Sequence, residues 1–178
     1  MVGRVSLGSA RSAVLLRGNA MNAADLARSP EMARAIASAA GLVRRHFPDA
    51  RANLTPWRDD PLTRAFTEEE SVDLAFHFPG WSPRLQCRSL LIQLRLSEAP
   101  GQGNAAGPPR LLGVLISGMT FQGEQWRLAT VGGWEPSGPN LPQPEVVTTL
   151  QQMCRDLFAL LARDPDHRQE PGEPGLAA

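Results

Sequence analysis

Between residues 72 and 131 the apolar side chains recur at every second position, in runs joined by segments rich in Gly, Pro or polar residues that carry no helical periodicity. This pattern constrains the fold more than any other feature. Parallel neighbouring strands need a connection of about a dozen residues or more, usually a helix packed on the sheet. No such crossover is encoded here, so the sheet must be antiparallel.

The strands can be placed from the alternation. Val72, Leu74, Phe76 and Phe78 interleave with Asp73, Ala75 and His77, which predicts one buried and one wetter face. Pro79-Gly80-Trp81-Ser82-Pro83 reads as a turn. A long strand over 85–96 follows, with Leu90, Ile92, Leu94 and Leu96 on one side and Gln93 and Arg95 on the other. Residues 111–119 and 125–131 form a hairpin with Phe121-Gln122-Gly123-Glu124 near its turn. A short strand near 52–57 fits the sheet edge, where Pro56 is tolerated.

Two amphipathic helices flank the strands. Ser29-Pro30-Glu31 is a helix start: Ser caps free amides, Pro suits the first turn, and Glu faces the positive end of the dipole. Met32, Ile36, Ala40, Val43 and Phe47 then form a stripe, and Pro48 ends the helix. Pro144-Glu145 opens the second helix, with Val146, Val147, Leu150, Cys154, Leu157, Phe158 and Leu161 on its apolar face. The expected fold is α+β: an antiparallel sheet of four or five strands with the N- and C-terminal helices packed on one face. The reverse face would carry His77, Gln93, Arg95 and Arg127 toward solvent or a partner.

The 178 residues suit one domain. Residues 1–22 read as a disordered extension, with Arg4, Arg11 and Arg17 and no acid before position 21. The single domain spans 23–163. Residues 164–178, with three Pro and little to bury, read as a disordered tail, and 97–109 as a mobile loop. The chain holds 18 Arg, no Lys, and 18 acidic residues. This neutral balance argues against nucleic acid as a partner. No apolar run is long enough for a membrane-spanning helix. Two cysteines cannot build a disulfide framework or a four-thiolate zinc site and fit a reduced, cytoplasmic protein.

No catalytic or cofactor motif stands out, and the expectation is no cofactor and no metal. Asp73 and His77 lie four apart on a strand, about 13 Å between Cα atoms, too far for one ion to bridge directly. His46 sits at a helix end and His167 in the tail. Cys87, His77 and Arg88 could form a thiol, a base and a cation at a pocket. Cys154, on the helical stripe, reads as core. Glu68-Glu69-Glu70 reads as a solvated loop, and Trp57-Arg58-Asp59-Asp60-Pro61 as a turn with too few ligands for a divalent ion. The glycine pairs at 101–103 and 132–133 lack the Lys and the strand–loop–helix context of a phosphate loop. Asn53-Leu54-Thr55 matches the glycosylation sequon without a secretory signal.

The strongest candidates are aromatic and cationic. Trp81 and Arg84 share one proline-stiffened turn, and Trp134-Glu135-Pro136 repeats the texture on another. Trp and Arg dominate binding hot spots, and stiff loops bind with less entropic loss.

Residues 72–96, together with Gly123-Glu124-Gln125-Trp126-Arg127-Leu128-Ala129-Thr130-Val131, resemble small uncharacterised α+β proteins of cyanobacteria over about 23–161. The helix–sheet–helix plan also resembles chaperone-like adaptor folds that present a sheet face to a client. The resemblance attaches no activity. The expected function is a non-enzymatic protein-binding module, an assembly or chaperone-like accessory factor for a larger complex. Its partner surface would comprise Trp81, Arg84, His77, Arg95, Arg127 and Trp134. The alternative is a small enzyme or ligand binder with a pocket around Cys87, His77 and Arg88.

Overall fold

The computed structural model describes residues 22–56, 71–97 and 110–162. Residues 1–21 of the expected extension, the tail with His167, the acidic run 68–70, the Trp57–Asp60 segment and most of the 97–109 loop lie outside the described residues, whereas Asn22 is described and bridges to Asp73.

The described chain runs α1 (Ala23–Leu26), α2 (Pro30–His46), β1 (Arg51–Asn53), β2 (Ser71–Ser82), β3 (Cys87–Leu96), β4 (Leu111–Thr120), β5 (Gly123–Ala129) and α3 (Pro144–Leu161). The five strands form one sheet in the order β1-β2-β3-β4-β5, every neighbouring pair antiparallel. The fold is thus the expected α+β class. The β2–β3 and β4–β5 connections are only four and two residues long, and consecutive strands usually lie side by side, which leaves this meander as the simplest topology.

Local chemistry sets the helix ends. Ser29 Oγ accepts from the Met32 amide at 3.2 Å, Pro30 occupies the first turn, and Arg44, Arg45 and His46 sit at the negative C-terminal end. α3 begins at Pro144 with Glu145 in its first turn.

Register assigns the two faces. Val72, Leu94 and Val114 lie in one row, Leu74, Ile92, Ile116 and Leu128 in the next, and Phe76, Leu90, Gly118 and Trp126 in a third. Both long helices bury their stripes over these rows: Met32, Ile36, Ala39, Leu42 and Val43 from α2, and Val146, Leu150, Met153, Cys154 and Leu157 from α3. The buried positions include Ala39, Leu42 and Met153, one step round each helix from part of the expected stripe.

Two expectations change. The segment 79–83 is not a simple turn, because β2 continues through Pro79 to Ser82. Its outer neighbour β1 stops at the Arg51–His77 pair, so the missing Pro79 N–H breaks no ladder bond there. The reverse face is also not open at its centre. Ser71, Asp73, Ala75, Leu91, Gln93 and Ser117 are all buried within the chain. Ser71 Oγ donates to Asp73 Oδ1, and Gln93 Nε2 donates to the same oxygen at 3.4 Å. Polar groups at such positions are tolerated because they are hydrogen-bonded. Exposure survives at the margins, where His77, Arg95 and Arg127 remain in solvent.

Candidate binding rim at the hairpin end

In this meander the β2–β3 and β4–β5 connections fall at the same end of the sheet. The ladder between β2 and β3 is regular up to His77–Ser89 and resumes at Ser82–Cys87. Residues 78–81 of β2 therefore bulge out against one β3 residue, Arg88. Bulges of this kind redirect side chains. Phe78 turns inward to meet Phe47 edge-on at 6.2 Å, whereas Trp81 stays 47% exposed.

Arg88 is flanked on its other side by the β4–β5 turn. Its guanidinium carbon lies 4.8 Å from the centroid of the Phe121 ring, within cation–π range. Phe121 is itself 91% exposed at the hairpin tip, where Gly123 supplies the positive φ of 114° that closes the turn. Leu141, half-exposed, stands two residues before Gln143, whose amide donates to the Arg84 carbonyl.

The platform beneath these side chains is pinned. The Leu85 carbonyl accepts from the buried Trp126 indole at 2.6 Å, and the adjacent Arg84 carbonyl accepts from the Gln143 amide at 2.9 Å. Ser82 Oγ accepts from the Leu85 amide at 3.3 Å, and Gln86 Nε2 donates to the Pro83 carbonyl at 2.6 Å with Gln86 itself at φ 53°. Trp126 reaches across β4 because Gly118 lacks a side chain; a Cβ there would lie 2.3 Å from the indole. A buried tryptophan thus holds the turn that displays Trp81, Arg84 and Arg88.

The six residues expected to form one partner surface occupy three places. Trp81 and Arg84 share the rim. His77, Arg95 and Arg127 lie on the reverse face by register, His77 near the rim and Arg95 toward the opposite end. His77 Nε2 is 3.5 Å from Asn53 Nδ2, and Arg127 forms a forked ion pair with Glu124, the shortest N···O being 3.0 Å. Trp134 belongs to neither group. Its ring stacks on Phe158 of α3 at 6.0 Å, Arg155 lies over it at 5.8 Å, and its carbonyl accepts from Gln151 at 2.9 Å. Reasoning from sequence missed Phe121 and Leu141. Phe121 was visible only as a turn residue, although a large aromatic in a two-residue hairpin tip has little to pack against, which is a usable signal.

The thiol pocket is weakly supported by the geometry. Cys87 is fully buried, and burial pushes its thiol up to about 12; hydrogen bonds with the Met119 and Ser89 backbone offset this only in part. At neutral pH such a thiol is protonated and a poor nucleophile. Cys154 is likewise free and buried, and burial raises its thiol to about 12 as well. Among the described residues, no three His, Cys, Asp or Glu side chains converge as metal ligands. One pocket lies between α2, α3 and the far end of β2 and β3, and Met32, Ala35, Ile36, Val72, Leu94, Leu96 and Leu161 line it with no polar side chain. Among the described residues no helix is long and apolar enough to cross a membrane.

The chain belongs to a protein family whose description is a domain of unknown function, matched over residues 24–163. No curated protein and no solved structure matches it.

Proposed function

We propose that this protein is a non-enzymatic binding module that holds a protein partner on the hairpin-end rim, as an accessory factor for a larger complex. One observation carries the reading: Trp81 and Phe121 stand exposed on either side of Arg88 at the hairpin end of the sheet, next to a β2–β3 turn that carries Arg84 and is fixed from below. Large aromatics and arginine on a rigid support are what a hot spot requires. His77, near the same end on the reverse face, extends the surface, while Arg95 lies outside it. The free, buried Cys87 and Cys154 suit a reducing compartment such as the cytoplasm.

The test is affinity capture from the native host with the full chain as bait, using wild type, a Trp81→Ala/Phe121→Ser variant and an Arg95→Gln control. The expected result is a stoichiometric partner held by wild type and control and lost from the double variant, each truncation weakening binding by about 2 kcal/mol. Undiminished capture by a folded double variant would rule out the rim.

A further inference from the structure

Resting on that reading, we infer that the segment received by the rim is an acidic, apolar stretch of protein chain. It offers carboxylates to Arg84 and Arg88 and a large apolar side chain to Trp81 and Phe121.

Among the described residues, Arg127 closes on Glu124, and His46 on Asp156, but neither Arg84 nor Arg88 has an acidic partner. Arg88 is half-buried, with its guanidinium carbon over the Phe121 ring, and makes no hydrogen bond among the described residues. A guanidinium held over a ring by cation–π attraction still carries N–H donors, and a carboxylate can match them in a two-pronged pair. The neighbouring rings supply apolar area that water solvates poorly. The two chemistries lie side by side and together specify acid next to hydrophobe.

Charge separates this occupant from two others. A second copy docked rim to rim would set arginines against arginines, with no acid among the rim residues to answer them. A nucleic acid also fits aromatic and arginine contacts, but affinity for its phosphates needs a basic excess, and this chain balances 18 against 18.

The experiment is selection of a random twelve-residue peptide display library on the immobilised full chain. The best peptide is then synthesised and titrated into protein whose tryptophan indoles are followed by NMR. Winners should combine Asp or Glu with Trp, Phe or Leu. They should shift the Trp81 indole and leave Trp126 and Trp134 in place, and should bind about tenfold more weakly in high salt. Arg84→Gln/Arg88→Gln should weaken binding at least tenfold, and so should Gln at the acidic positions of the peptide, an arm that leaves the protein intact. Basic or uncharged winners that still shift Trp81 would overturn the acidic class while leaving the rim a binding surface. Winners that shift nothing at the rim, or no winners, would overturn both. Tighter binding of a labelled oligouridylate at Trp81 would replace protein with nucleic acid as the partner class.

Discussion

Trp81, on the bulged end of β2, and Trp134, in the loop after β5, sit in segments of nearly the same composition, and the fold uses them in opposite ways. Each is flanked by Pro and Gly, and each has an arginine near it in space or in sequence. Trp134 follows β5 directly over α3, where Phe158 and Arg155 lie within reach, so its ring is drawn onto the helix. Trp81 lies on a bulge at the sheet's end, beyond the Phe47–Phe78 contact, and among the described residues no ring or arginine packs against it. The apolar ring packs wherever a surface is available. Direction is therefore decided by what the topology places opposite the loop, not by the loop's own residues.

One glycine from each tryptophan segment, Gly138 and Gly80, gives the largest expected contrast. Gly138, in the loop that follows Trp134, has φ 145°, and a Cβ there would lie 2.4 Å from the Gln125 carbonyl oxygen. Gly138→Ala should destabilise the protein by about 3 kcal/mol through strain and overpacking. Gly80, beside Trp81, has open space around it, so Gly80→Ala should change stability by less than about 0.5 kcal/mol. Urea unfolding of both variants checks the pair, and equal effects would break the comparison.

The tryptophans themselves come next. Trp134→Ala removes a half-buried ring and its stacking on Phe158, at a cost of about 2 kcal/mol. Trp81→Ala should leave stability within about 0.5 kcal/mol of wild type. Thermal or urea melts of the two variants side by side decide it.

The smallest effect lies at the seam between the helices. The Asp156 carboxyl is held below its ordinary value of 3.8 by hydrogen bonds from Gln152 and His46, the latter at 2.9 Å. A lowered folded pKa stabilises the fold above the ordinary value, and that contribution disappears as pH falls through the folded one. Wild type should therefore melt slightly above Asp156→Asn at pH 7, with the gap closing below pH 3.8, in the acid range. A gap that widens in acid would contradict this.

Much of the scaffold was legible because period and capping are local properties. Ser29-Pro30 marked the true start of α2, Pro144 that of α3, and the alternation at 72–78 and 90–96 gave the correct inward faces. What escaped depends on neighbours far along the chain. Pro79 stays inside β2 only because β1 ends at Arg51, and that length is not written in β2. Gln93 looked solvent-facing by alternation, yet it is buried beside Asp73. Of the candidate site, Trp81 and Arg84 were visible as residue types on a stiff segment. Phe121 joins them through cross-strand register, and Trp134 leaves them because of where α3 passes.

Hydrogen–deuterium exchange on the full chain, free and bound to the captured partner, tests the central claim most directly. The account predicts slowed exchange across 78–88 and 120–123, with the Trp134 loop and α3 unchanged. Protection at the Trp134 loop or over Arg95, with the hairpin end exchanging as in the free protein, would contradict it.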